Sequence, residues 1–506
     1  MQIVSDLHLH SRFSRAVSPQ MTIDGIAGWA IKKGINLVAT GDWTHPMWMR
    51  EIGEKLEETG DGLLKLKTKD NEQGTESSLS PFFLLSTEIS CIFSQGGKTR
   101  RVHVLIWVPT IAAAQKISKE LMKRGCNLLS DGRPIIGLSL ISLSELILTI
   151  EPNALIVPAH IWTPWFSVYG KMGGFESLDE AFGEFAKQIY AVETGLSSSP
   201  DMNWRIKDLD SRAIVSFSDA HSGPKLGREV TVFDLPGVTY KNIEEALKNT
   251  QNTQDNQKTQ KTRKTRESET SDNQKVRTLN VRSSDTPNLR HTEFSEFSEI
   301  SEFSGPHIAY TIEFYPEEGK YHYTGHRDCN VRLTPEEIVT KGTTCSVCGK
   351  PLTQGVMQRV EEIAKRDEDN KTVRPASTQR GEQEDKTGLS FISGKDGNRP
   401  PFLMLVPLQE IIAEAIGSPV ASKKTQAHYE TLVSHFNGEF IVLLTADLKE
   451  ITKISTVEIA DGVRKVRSGD IVIDPGYDGV FGVVKIWKSE KEKSLVDKSK
   501  EQIGMF

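Results

Sequence analysis

Along residues 1–250, short apolar runs alternate with stretches in which apolar residues recur every three or four positions. That is the pattern of strands alternating with amphipathic helices. Strands are expected at Ile3–Val4, Ile35–Ala39, Phe82–Leu85, Val102–Val108, Ala154–Val157, Ile189–Val192, Ala213–Phe217 and Glu229–Phe233. From Thr22 to Lys33 the residues Ile23, Ile26, Ala27, Ala30 and Ile31 share one helical face, and Gly34 follows as a cap. Ser177-Leu-Asp-Glu180 reads as a capping box opening another helix. Such alternation implies parallel pairing, and so many units in one run predict a closed or distorted β/α barrel.

The pattern breaks at 251–305, which is rich in Gln, Asn, Thr, Ser, Lys and Arg and carries nine basic and nine acidic residues. The basic block KTQKTRKTR and the acidic repeat EFSEFSEISEFS offer no period that builds a core, so a disordered insert is expected. Structure resumes at Pro306: Ile308–Tyr315 reads as a strand, 367–400 as a polar loop, Leu408–Ile416 and Thr425–Phe436 as helices, and Phe440–Leu444 as a strand. The resulting division is 1–250 (barrel), 251–305 (insert), 306–366 (a Cys/His module) and 367–506 (a small α+β region).

Composition narrows the class. At 506 residues, two or three domains are expected, and 37% hydrophobic with 26% charged residues excludes a wholly disordered chain. No run approaches eighteen apolar residues, and MQIVSDLHLH has no signal-peptide pattern, so a cytoplasmic protein is expected. Five cysteines point to metal binding before disulfides. The net charge of −6 does not announce a basic nucleic-acid binder.

The chemistry lies at the strand ends. His8 and His10 close the first strand, Asp42 and His45 follow the second, Glu88 ends the third and His103 begins the fourth. His160, Glu193, then Asp219 and His221 follow the next three. The C-terminal strand ends of a β/α barrel converge on one face, which gathers these residues into one pocket. His103 is the exception, since it precedes most of its strand. Residues two apart on extended chain point the same way, as in His8-Leu-His10 and Asp219-Ala-His221. Up to ten imidazoles and carboxylates exceed the needs of one ion, so two or three divalent ions (zinc, manganese or magnesium) are expected, able to activate water against a phosphoester.

A second pattern is His326-x2-Cys329, then Cys345-x2-Cys348-Gly349. Two chelating pairs suit one tetrahedral structural zinc, with His322 an alternative to His326. Cys91 and Cys126 have no partner spacing.

SDLHLHS, GDWTHP, the isolated Glu88, PAHIWTPWFS and SDAHS resemble the motifs of PHP (polymerase and histidinol phosphatase) phosphoesterases. AHIWTPWFSVYG, VETGLSSSPDMNWRI, YHYTGHRDC and CSVCGKPLTQGV resemble endonuclease Q more finely. The resemblance implies a distorted PHP-type barrel with a zinc-ribbon module. It also implies a DNA repair endonuclease that cuts 5′ of deaminated bases such as uracil and hypoxanthine, with xanthine and abasic sites as further candidates. The implied metal ligands are His8, His10, Glu88, His103, His160, Glu193, Asp219 and His221, with Asp42 favoured over His45 in the second motif. His8, Glu193 and Asp219 are the residues expected to carry catalysis. Trp162, Trp165, Phe166 and Tyr169 would hold an extruded base or else pack the rim. Lys225 and Arg228 would meet backbone phosphates or solvent. The competing readings are a PHP phosphatase of small phosphomonoesters and a non-catalytic zinc-ribbon adaptor that binds nucleic acid.

Overall fold

The structure, a computed structural model, describes residues 1–67, 80–249, 305–366, 381–384, 387–394 and 399–488. The insert expected at 251–305 lies outside them except for Gly305. All eight early strands form: β1 (Gln2–Asp6), β2 (Leu37–Ala39), β3 (Phe82–Gln95), β4 (Lys98–Val108), β5 (Leu155–Pro158), β6 (Ala191–Glu193), β7 (Ala213–Val215) and β8 (Val230–Asp234). Helix Ile23–Lys33 begins where Thr22 accepts from the Gly25 N–H and ends at left-handed Gly34. Ser177 caps its helix through the Glu180 N–H. The Glu180 carboxylate does not complete the box; it turns to Arg100 and to the Glu176 N–H.

The pairing corrects the expectation of an all-parallel sheet. β1–β2, β2–β3 and β6–β7 are parallel, but β1–β8, β3–β4 and β4–β5 are antiparallel. The cause is local. Gly96 and Gly97, at φ 62° and 72°, close a two-residue hairpin between the paired Gln95 and Lys98. Both central residues of such a turn need positive φ, which glycine adopts without strain. Among the described residues the main sheet has thirteen strands, with β6–β7 as a separate pair.

Alternate strand residues fall into two cores. Ile3, Leu37, Leu84, Leu105, Trp107, Leu155, Val157, Ala191, Ala213, Val215 and Phe233, drawn from all eight strands, pack together with Leu7 and Phe217. Their neighbours Val4, Val38, Phe83, Val104, Ile106, Ile156, Val192, Ile214 and Val232 pack the other way, in the core that includes the helices. This is the period of two read out strand by strand.

The C-terminal region is corrected twice. The expected loop 367–400 contains strands Gly381–Glu384 and Ser390–Ser393, which extend the main sheet beyond Phe402–Met404 and β9 (His307–Glu313). Phe440–Leu444 is helical, within Glu439–Leu444. A run of five apolar residues carries no period, and here its neighbours are helices Lys423–Phe436, Leu448–Ile454 and Val457–Arg467 rather than strands.

A buried ion pair joins the helices to the first unit. Lys33 Nζ lies 2.6 Å from Glu439 Oε2, which also accepts from Tyr429 OH at 2.8 Å, while Oε1 accepts from the Leu408 N–H at 3.0 Å. Glu439→Ala would strand a buried ammonium. The expected cost is about 3–5 kcal/mol by denaturant unfolding, and a loss below about 1 kcal/mol would contradict this reading of the pair.

Candidate metal centre

The inward alternation of the strands leads directly into the cluster. Glu88 follows Leu84 and Ser86 on one face of β3, and His103 follows Trp107 and Leu105 on the paired face of β4. Because β4 begins at Lys98 and runs antiparallel, His103 lies within its strand, opposite Ser90 and diagonal to Glu88, so that its Nδ1 reaches Glu88 Oε1. Glu193 continues Ala191, and Asp219 continues Ala213, Val215 and Phe217. The chain then turns sharply: Asp42, His160 and Asp219 take positive φ of 45°, 30° and 47°. Non-glycine residues held this way cluster at functional sites.

Three overlapping groups result: His8, His10 and Glu88; His10, Asp219 and His221; Glu88, His103 and His160. Within each, the ligand atoms lie within 4.8 Å of one another. Glu88 joins two groups with different oxygens. Its Oε1 is 2.8 Å from His103 Nδ1 and 3.0 Å from His160 Nε2, while Oε2 is 3.3 Å from His10 Nε2. Asp219 Oδ1 faces His10 Nε2 at 3.1 Å and His8 Nε2 at 3.5 Å.

The other expected carboxylates lie behind the imidazoles. Glu193 Oε1 is 2.8 Å from His8 Nδ1, and its Oε2 accepts from the His160 N–H at 2.7 Å. Asp42 Oδ1 is 3.0 Å from His10 Nδ1, and its Oδ2 accepts from Ser11 N, Ser11 Oγ and Ser14 Oγ at 2.6–2.9 Å. A carboxylate on one ring nitrogen fixes the ring so that the other points at a metal. Accordingly His8 Nε2, His10 Nε2 and Asp219 Oδ1 are buried with no hydrogen-bond partner. His45 stands apart, stacked on Phe13, with Nε2 3.3 Å from the Leu129 carbonyl.

Electrostatics agree with a site built for cations. Burial opposes charge on His8 and His10, yet Glu193 and Asp219, and Asp42 with Asp219, hold both imidazoles well above their ordinary range. Burial pushes Glu88 up, but His103 and Arg133 outweigh it and hold the carboxyl well below the ordinary range. Divalent ions would supply the positive charge that these buried carboxylates demand, so the donor set fits them.

Several supporting residues escaped the sequence reading. Arg133 Nη1 lies 3.0 Å from Glu88 Oε2. Asp6, pushed up to about 6 by burial, accepts from the Ser218 and Gly227 N–H groups and ties β1 to the turn carrying Asp219. Gly132 leaves room for Asp42, since a Cβ there would collide with Asp42 Oδ2 and Ser14 Oγ. The serine-aspartate pair before His8 was the visible signal for Asp6; Gly132 and Arg133 gave none.

Of the aromatic candidates, Trp162 and Tyr169 are fully buried and bonded to Asn203 and Asp208. Phe166 packs on His103 at 4.6 Å between ring centroids, and Trp165 is exposed. Lys225 pairs with Glu410, and Arg228 donates to the Ser218 and Asp219 carbonyls.

The second cluster is distinct. His326, Cys329, Cys345 and Cys348 bring their ligand atoms within 4.8 Å of one another. Hairpin β10 (Thr324–His326) and β11 (Val331–Leu333) presents His326 and Cys329, and left-handed Gly349 turns Cys345 and Cys348 inward. Burial would raise the Cys345 thiol, but the N–H groups of Cys348 and Val347 bring it down to about 6. His322 is buried elsewhere, its ring against Tyr323.

Comparisons with known proteins follow this geometry. PfuEndoQ, a lesion-specific endonuclease from Pyrococcus furiosus, superposes with a TM-score of 0.70 at 27% identity, over 97% of this chain and 98% of that one. The chain resembles endonuclease Q over nearly its whole length. An endonuclease Q complex with a 27-mer duplex substrate bearing an abasic lesion at the active site gives 0.69 and 27%, over 96% and 97%. Uncharacterized protein YqxK of Bacillus subtilis (strain 168) is 26% identical over 495 residues, 96% of this chain and 99% of that protein. Uncharacterized protein MJ0043 of Methanocaldococcus jannaschii is 26% identical over 332 residues, 64% of this chain, which thereby spans about a third (31%) of MJ0043. The family described as the MJ0043 C-terminal domain matches residues 407–470. No helix among the described residues is long and apolar enough to cross a membrane.

Proposed function

We propose that the chain is a metal-dependent DNA endonuclease that hydrolyses the phosphodiester 5′ of deaminated bases, on a distorted PHP-type β/α barrel with a zinc-ribbon module. The observation that carries this is the set of three overlapping ligand groups joined by His10 and Glu88, in a fold similar to endonuclease Q. The barrel reading is supported by the single core shared by eight strands. Its ligands would be His8, His10, Glu88, His103, His160, Asp219 and His221. Glu88, whose Oε1 faces His103 and His160 while its Oε2 faces His10, would be able to serve more than one ion, and Asp219 would hold an ion together with His10 and His221. Bound divalent ions would activate water and neutralise the phosphate. Glu193 and Asp42 orient His8 and His10, and Arg133, paired with Glu88, would offer a cation to a phosphate oxygen.

Cleavage of a uracil-containing oligonucleotide is expected, without phosphate release from a small monoester; the reverse would favour a phosphatase, and neither activity a non-catalytic adaptor. Gly132→Ala displaces Asp42 and loosens His10, which is expected to lower cleavage up to about 100-fold, the scale of an ångström's misplacement. An unchanged rate would remove Asp42 from its positioning role.

A further inference from the structure

We infer that Trp165, Tyr321 and Phe481, with Lys320 between the last two, form a stacking strip that takes the nucleobases of a DNA duplex opened at the lesion. The inference rests on the endonuclease reading and adds the surface that opens the substrate. Trp165 is 42% exposed and Phe481 69% exposed, although both are large and apolar. The Trp165 and Tyr321 rings meet edge to face at 5.2 Å between centroids. Lys320 Nζ lies 5.7 Å from the Tyr321 ring and 5.6 Å from the Phe481 ring.

The rings come from three distant segments, and the loops that carry Trp165 and Phe481 are tied down by their backbones. Trp165 rides a compact loop closed by hydrogen bonds from Met172 N to the Pro164 carbonyl, from Tyr169 N to Ile161, and from Ser167 Oγ to Thr163. Phe481 sits on the loop 476–482, which donates from Gly476, Gly479 and Gly482 to the Glu317, Lys320 and Glu318 carbonyls. The strip is continuous with the metal centre. Thr163 Oγ1 lies 2.7 Å from His160 Nδ1, and Phe166, beside Trp165, packs on His103.

Exposed rings fixed in place carry little entropy cost on binding, and every base offers them a π-face. Lys320, over the Tyr321 and Phe481 rings, offers a cation to a phosphate, while Arg327 beside Gly479 is paired with Asp328. A surface that begins at the reacting site and carries aromatic faces with a cation fits unstacked DNA.

The test uses the full chain and its Trp165→Ala, Trp165→Phe and Phe481→Ala variants, with uracil placed either in a duplex or in a single strand. Stacking on one aromatic ring changes affinity by roughly five- to a hundredfold, so each alanine variant should lower the duplex-to-single-strand cleavage ratio by that order. Trp165→Phe should restore most of it. A 2-aminopurine beside the lesion should brighten when the ion-stripped wild type binds the duplex, and should brighten less with either alanine variant. If wild type cleaves but the variants keep its ratio within about twofold and the same brightening, the strip is wrong. If wild type cleaves nothing, the endonuclease reading falls, and the fluorescence arm, which needs no cleavage, still decides the strip.

Discussion

His8→Ala and Asp219→Ala are each expected to abolish strand cleavage while leaving the unfolding transition close to wild type. His8 is fixed from behind by Glu193, and its buried Nε2, facing Glu88 and Asp219, makes no hydrogen bond. Asp219 presents Oδ1 to both His8 and His10, so its loss removes a shared anchor. Neither side chain belongs to the apolar cores. Losing the ions that activate water costs orders of magnitude, so retention of more than about a tenth of the rate would contradict the assignment. Metal analysis should show fewer ions per chain in both variants, with the Cys/His cluster unaffected.

The second large effect is expected on stability. Cys345→Ser together with Cys348→Ser should remove one zinc and loosen residues 320–355. Besides its sulfurs, that module has among the described residues a small core of Leu333, Ile338 and Leu352, packed around Cys345 and Val331. Zinc contributes about 10–16 kcal/mol of apparent binding free energy in zinc-finger peptides, far more than so small a core supplies. Binding to DNA should weaken while the other ions stay bound. Equal zinc content before and after the substitutions would end the zinc assignment.

Much of this was legible in the residues. Strand positions followed from apolar runs, and His8, His10, His160 and Asp219 announced themselves by lying at the ends of those runs; Glu88, expected at a strand end, lies in the middle of β3, which runs on to Gln95. Pairing direction did not follow from the runs, although Gly96-Gly97 held the signal: two glycines between long apolar stretches close a hairpin, and a hairpin is antiparallel. That one turn explains His103. Asp42 and Glu193 were legible as site residues but not as the groups behind the imidazoles, because which ring nitrogen a carboxylate meets depends on side-chain direction. Trp162 and Tyr169 were read as holding a base or else packing the rim, and they are buried, whereas Trp165 on the same compact loop is exposed. Phe440–Leu444 carried no period at all, and its helical neighbours decided its state.

The most direct measurement is a denaturing-gel assay of a 5′-labelled duplex carrying one uracil, with an undamaged duplex beside it, before and after chelation and on re-addition of manganese. The endonuclease reading predicts one product ending immediately 5′ of the uracil, absent from the undamaged duplex, lost on chelation and restored by the metal. An uncut strand, cutting independent of the uracil, or cutting that survives chelation would contradict it.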